Sequence, residues 1–177
     1  GLRGRKIAYA ASYADNPVEA EVESAIAAAA ERCARLGAEV TPVRPRLDGI
    51  WNAFQTLWFS GAAVLLARVP AARLDELDPG FRAVAELGKS KSLAEFLAAE
   101  SERTEYSSRL SRLLADYDLL LLPTMPMAAF AVGQDSAPQP DGSPRYDWSP
   151  FTYPFNMSGQ PAASLPIGLT RDGRPIG

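Results

Sequence analysis

The sequence predicts an α/β fold, a mixed β-sheet covered by helices, and three observations carry that prediction. Two short apolar runs, residues 6–10 and 38–41, flank a stretch of helical period, the pattern of a βαβ crossover. Residues 50–115 keep helical spacing with few breaks. Leu119, Leu120, Leu121 and Leu122, between Asp118 and Pro123, make a run too short for an independent helix, and it reads as a strand buried on both faces.

The elements follow in order. Lys6-Ile7-Ala8-Tyr9-Ala10 is the first strand, with a turn from Ser12 to Pro17. Asn16 as N-cap, Pro17 at the first helical position and Glu19 reaching back predict a helix start. Val18, Val22, Ile26, Ala29, Cys33 and Leu36 then form one apolar stripe, and Gly37 caps its end. Residues 38–41 resume as strand. Asp48 is placed to cap a second helix whose face holds Ile50, Phe54, Leu57, Trp58, Gly61 and Leu65; it ends near Arg68, because Pro70 disfavours helical geometry at Val69. Asp78-Pro79 opens a shorter helix running to Leu87 and stopped by Gly88. Ser92-Leu93-Ala94-Glu95 is a capping box that opens a long helix to about Ala115. Residues 123–161 hold Pro123, Pro126, Pro138, Pro140, Pro144, Pro150, Pro154 and Pro161 and read as a long loop; residues 162–167 suggest one more strand. Leu169 to Gly177 reads as a strand, a turn and the start of a returning strand. The chain is therefore expected to continue beyond Gly177, and its opening Gly suggests a preceding segment.

Composition closes off several chemistries. The 47% hydrophobic and 22% charged fractions suit one globular segment and exclude wholesale disorder, collagen and coiled coil. No apolar run approaches the roughly 20 residues that span a bilayer. A net charge of −3, with 18 basic and 21 acidic residues intermixed, argues against a nucleic-acid partner. With no histidine, Ser-His-Asp and Cys-His machinery is absent from these residues, and no cofactor or metal site is predicted. The single cysteine, Cys33, cannot form an internal disulfide and fits a reducing, cytoplasmic compartment.

Motifs narrow it further. Gly88-Lys89-Ser90 is no phosphate loop, since Ala83 stands where that loop needs glycine. No G-x-S-x-G elbow and no S-x-x-K pair occur. Trp51, Phe54, Trp58 and Phe59 read as a core stripe that a ligand pocket would share at most in part. Two segments stand apart. Pro123-Thr124-Met125-Pro126 sets a threonine between prolines where a strand ends, and strand ends beside long loops are where α/β proteins bind ligands. Residues 151–166 combine aromatics, Asn156 and a Gly-Gln-Pro turn. They read either as a core-entering turn with Asn156 bonding the backbone or as a substrate-lining segment.

These two segments, in this order, resemble the C-terminal part of the amidase signature family, which hydrolyses carboxamide C–N bonds. Asp118 to Pro126 matches the family's Asp, leucines and Pro-Thr-x-Pro; Pro154 to Ala162 matches Pro-Phe-Asn-x-Thr/Ser-Gly-x-Pro-Ala; Gly173 to Gly177 matches Gly-x-Pro-x-Gly. The opening Gly-Leu-Arg-x-x-Lys-Ile and Leu36-Gly37-Ala38-Glu39-Val40 are similar to the family's second half, so the likeness runs end to end. It implies a single α/β segment over residues 1–177, the C-terminal part of a larger amidase domain. It also implies a small-molecule amide substrate and no cofactor; the charge balance and the lack of a bilayer-length apolar run predict no nucleic acid and no membrane.

The family's machinery is a serine nucleophile, a second serine held by a cis peptide and a lysine, with a Gly/Ser-rich signature. All of it lies before the point matched by Gly1. None of Lys6, Lys89 or Lys91 matches the lysine, so no catalytic residue is assigned here. Thr124, Met125, Phe155 and Asn156 are the substrate-binding candidates. Helices built to cover another half would expose apolar surface and favour a homo-oligomer. Two other readings remain: part of a tRNA-dependent amidotransferase assembly, and a non-catalytic binding module on the same frame. Finding a Gly/Ser-rich signature and lysine upstream of Gly1 would favour the enzyme over the module.

Overall fold

The computed structural model describes all residues except 13–15, 46–48, 135, 139–143 and 146–148. The cap assigned to Asp48 lies outside the described residues, as does part of the turn before Pro17. The chain divides into two compact units, one built from residues 1–48 and 107–177 and the other from residues 49–106.

The first unit is the α/β one. Strands β1 (Lys6–Tyr9), β2 (Glu39–Pro42) and β3 (Leu119–Leu121) form a parallel sheet in the order β2-β1-β3. Helix α1 (Ala20–Arg35) makes the predicted crossover from β1 to β2. Its core contacts are Val22, Ile26 and Ala30, which are buried; Cys33 is half-buried and Leu36 lies 59% exposed, so the apolar stripe stops a turn earlier than its period suggests. Helix α1 also starts later than Asn16-Pro17 implies. Glu19 is its N-cap, and the Glu19 N–H donates to the Pro126 carbonyl at 2.8 Å, a tertiary bond that draws the preceding residues out of the helix. Gly37 follows the helix with φ +94° and donates its N–H to the Ala34 carbonyl, the cap its position predicts.

Strand β3 is not buried on both faces. It is the sheet's edge among the described residues, with Leu119 exposed and Leu120 and Leu121 half-buried. Nor do residues 162–167 make a strand. The Ile167 N–H pairs with the Ile176 carbonyl, and the antiparallel hairpin of β6 (Gly168–Leu169) and β7 (Pro175–Ile176) follows at once. The hairpin at the end of the chain is therefore where the sequence places it. The proline-rich stretch is not wholly irregular: it holds the two-residue antiparallel pair β4 (Ala137–Pro138) and β5 (Pro144–Arg145) and the helix α5 (Tyr153–Ser158).

The second unit is helical: α2 (Trp51–Leu66), a 3₁₀ turn (Ala71–Glu76), α3 (Pro79–Lys89) and the first part of α4 (Leu93–Leu114). The face that α2 buries is Ala53, Ala62 and Leu66, not the stripe ending in Trp58 and Leu65, which are both more than half exposed. A helix apolar around most of its circumference offers the period no unique face. Trp51, Phe54 and Trp58 instead pack ring against ring along one side, with centroids 5.5 and 5.1 Å apart. Leu66 and Ala62 meet Ala85 of α3, with Leu74, Leu77, Phe81 and Val84 packed around them.

Gly88 does not stop α3. It sits inside that helix because a Cβ there would fall 1.8 Å from the Phe59 carbonyl oxygen of α2, so only glycine allows the two helices to close. The caps at the starts of α3 and α4 form as read. Asp78 accepts the Phe81 N–H, while the Glu95 carboxylate accepts the Ser92 N–H and the Ser92 hydroxyl accepts the Glu95 N–H in return. Among the described residues no helix is long and apolar enough to cross a membrane.

Candidate functional site

In a parallel sheet all strands end on one side, and the loops leaving those ends build the ligand cleft of α/β proteins. Pro123 to Phe130 is the segment that leaves β3 on that side, and it is tied down along its length. The Thr124 N–H donates to the Gly177 carbonyl at 3.0 Å. The Pro126 carbonyl takes the Glu19 N–H, and the Glu19 carboxylate takes the Ala128 N–H at 3.1 Å. Arg174 reaches back from the hairpin to the Ala129 carbonyl at 2.9 Å. Pro123 and Pro126 are buried and fix their own φ angles, which lowers the entropy cost of holding the segment in one shape.

The hairpin that supplies Gly177 is braced by its own charges. Asp172 accepts from the Thr170 hydroxyl and from Arg174, and these bonds, Thr170 first, hold its carboxyl below the usual carboxylate range. The same pair raises the Arg174 guanidinium above its ordinary value. Arg171 adds a looser ion pair to Glu21 of α1 at 3.5 Å. Tyr9, at the end of β1, has its phenol pKa raised, chiefly by burial and further by Glu23.

Between this segment, the start of α1 and the hairpin lies a cavity of about 630 Å³. Val22, Met125, Met127, Phe130 and Ile176 supply apolar surface, and Thr124, Ser164 and Gly177 meet at one point of its wall. The Thr124 and Ser164 hydroxyl oxygens are 2.8 Å apart, and either can be the donor. A Cβ on Gly177 would fall 2.9 Å from Ser164 Oγ and 3.3 Å from Thr124 Oγ1, so a side chain there would crowd both hydroxyls.

Two of the four candidate residues, Thr124 and Met125, line this cavity; Phe155 and Asn156 do not. Both of the latter lie on α5, which turns Pro154 and Met157 into the interior and leaves Asn156 exposed. Helix α5 is held by the Ser107 hydroxyl on the Ser158 carbonyl and by Gln160 on the Ser111 hydroxyl. It ends at Gly159 in the left-handed region, φ +71°. The Asn-containing motif therefore builds a helix and its cap. Sequence reading did not single out Ser164, Gly177 and Phe130. Ser164 and Gly177 stand 40 or more residues from Thr124, with no local signal to join them.

Comparison with known proteins fits this frame. The family model for Amidase matches residues 1–177. An amidase from Pseudomonas putida is 27% identical over 177 residues, covering 98% of this chain and 38% of that protein. One component of the glutamyl-tRNA(Gln) amidotransferase of Synechococcus sp. strain RCC307 is 30% identical over 206 residues, 99% of this chain and 41% of that protein. A crystal structure of an amidase superposes with a TM-score of 0.84 at 23% identity, over 99% of this chain and 41% of the other, a likeness of fold. The chain thus spans about two fifths of the length of such relatives. Matched by the family model from its first residue to its last, the chain belongs to the amidase family.

Proposed function

We propose that this chain is scaffold and pocket wall for an amidohydrolase, an enzyme that hydrolyses a carboxamide C–N bond to a carboxylate and ammonia or an amine. The observation that carries this reading is the cavity at the end of β3, where Thr124 and Met125 line a segment pinned by Gly177, Glu19 and Arg174. A rigid wall of this kind orients a substrate but does not cleave it. Serine without an adjacent base is a weak nucleophile, and among the described residues no lysine lines this cavity. The serine–serine–lysine set that the family resemblance implies is assigned to residues outside these 177.

Ammonia or amine release from simple carboxamides tests the proposal. The protein expressed from its full reading frame turns them over, whereas the 177-residue chain alone does not. Turnover by the short chain would overturn the division of labour; an inactive full-length protein would overturn the amidase reading.

A second reading has the 30% identity to an amidotransferase component in its favour. There the cavity would serve a protein that releases ammonia for transfer to a tRNA-linked amino acid. Ammonia transfer to a charged tRNA in the presence of partner proteins would support it over simple hydrolysis.

A further inference from the structure

The wall of the β3-end cavity is apolar except at one point. Val22, Met125, Met127, Phe130 and Ile176 present hydrocarbon and thioether, and none of the described residues lining it is charged. Of the charged side chains beside it in the chain, Glu19 is engaged with the Ala128 N–H, Arg174 with the Ala129 carbonyl and Glu21 with the Arg171 N–H, while Glu23 is exposed. The polar point is the Thr124–Ser164 pair. Two hydroxyls carry two protons, and the bond between them uses one, so the pair retains one O–H able to donate into the cavity.

We propose that this cavity selects an uncharged amide substrate, with an alkyl or aryl group against the methionine and phenylalanine surface and a carbonyl oxygen accepting from the Thr124–Ser164 pair. Flexible thioethers adapt to alkyl and aryl shapes alike, so this surface tolerates variation in the group it holds. A substrate group carrying an ammonium or carboxylate, set against this wall, would lose hydration without gaining a counter-charge from the described residues that line it. The inference rests on the cavity being a substrate wall, and it separates amides with apolar groups from amino-acid amides such as glutamine.

The three methionines provide the test. Met125 and Met127 line the cavity, while Met157 is buried on α5 and does not. The protein from its full reading frame is labelled with ¹³C-methyl methionine, and the signals are assigned with Met125→Leu, Met127→Leu and Met157→Leu. It is then titrated separately with phenylacetamide and with glutamine. Phenylacetamide should shift Met125 and Met127 and leave Met157 in place; glutamine should move neither cavity signal at the same concentration. Thr124→Val combined with Ser164→Ala, which removes both hydroxyls, should weaken phenylacetamide binding about tenfold, the effect of one lost hydrogen bond. Comparable shifts with glutamine would overturn the selectivity and leave the substrate-wall reading standing. If neither amide moves Met125 or Met127, both fall. Unchanged phenylacetamide affinity in the folded double variant would overturn the role of the hydroxyl pair.

Discussion

The Asp118 carboxylate accepts the Lys6 backbone N–H at 2.8 Å, while the Asp118 N–H donates to the Lys6 carbonyl at 2.8 Å, so one residue closes two bonds between β1 and β3. Arg5 adds its guanidinium to the other carboxylate oxygen at 3.0 Å. The partners lie 112 residues apart, and a slip of one residue in a parallel pair would turn every side chain of β3 to the opposite face. The Lys6 amide first, and then Arg5, hold the Asp118 carboxyl below its ordinary range. A pKa lowered by folding contributes stability above the unfolded-state value and loses it as pH falls through the folded-state value. Asp118→Asn should therefore melt lower than wild type at neutral pH and show a shallower fall in melting temperature on acidification. Parallel melting curves from neutral to acid pH would contradict this.

What could be read in advance divides along local and long-range lines. The βαβ crossover, the Asp78 cap and the Ser92–Glu95 box depend on residues within a turn or two of one another, and the structure forms each of them. The hairpin at residues 168–176 is local too. Errors arise where a distant partner decides. Glu19 leaves the expected first turn of its helix for Pro126 and Ala128, and Gly88 reads as a stop until Phe59 is brought against it. At the site, Thr124 was legible from its prolines and its place after a strand. Its hydroxyl partner Ser164 was not, because nothing in either segment encodes their meeting.

Gly88→Ala tests the α2–α3 seam. The added methyl would meet the Phe59 carbonyl far inside contact distance, and that atom is backbone rather than a side chain able to turn away. The helices must part, at a cost of about 2 kcal/mol or more. Urea unfolding followed by tryptophan fluorescence should show a lower midpoint, since Trp51 and Trp58 both lie on α2. A midpoint equal to wild type would mean that the seam opens without penalty.

The capping box at the start of α4 predicts a second pH dependence. The Ser92 backbone and hydroxyl donate to the Glu95 carboxylate and lower its pKa, with Lys91 helping at 4.0 Å. The box therefore stabilises the helix above the ordinary glutamate range and weakens as acid protonates Glu95. Ser92→Ala should cost about 1 kcal/mol at neutral pH. Glu95→Gln should flatten the acid limb of the melting profile, and an unchanged limb would show that the cap does not report on Glu95 ionisation.

Exposed apolar side chains on the helical unit predict association. Trp58, Val64, Leu65, Leu87, Leu93 and Leu97 all lie more than half exposed, a density of large apolar groups that free surfaces seldom carry. Sedimentation velocity on the 177-residue chain should show mass rising with concentration, and Leu93→Glu with Leu97→Glu should reverse it. A single monomeric species at high concentration would argue against this.

Glu19→Ala probes the cavity segment without touching its lining. The Glu19 carboxylate is the acceptor for the Ala128 N–H, and Ala128 itself is buried, so removing the carboxylate leaves that donor without a partner in a place water reaches poorly. The segment keeps its ties to Gly177 and Arg174, and local opening rather than global unfolding should follow. Amide exchange at Ala128 should quicken about tenfold. Exchange at Ala10, whose N–H is bound to the Leu121 carbonyl in the sheet, should not change. Glu19→Gln, which retains a side-chain oxygen, should keep most of the protection. If exchange at Ala128 is as slow in Glu19→Ala as in wild type, the Glu19 carboxylate does not hold the segment, and the Glu19 N–H on Pro126 and the hairpin suffice to shape the cavity.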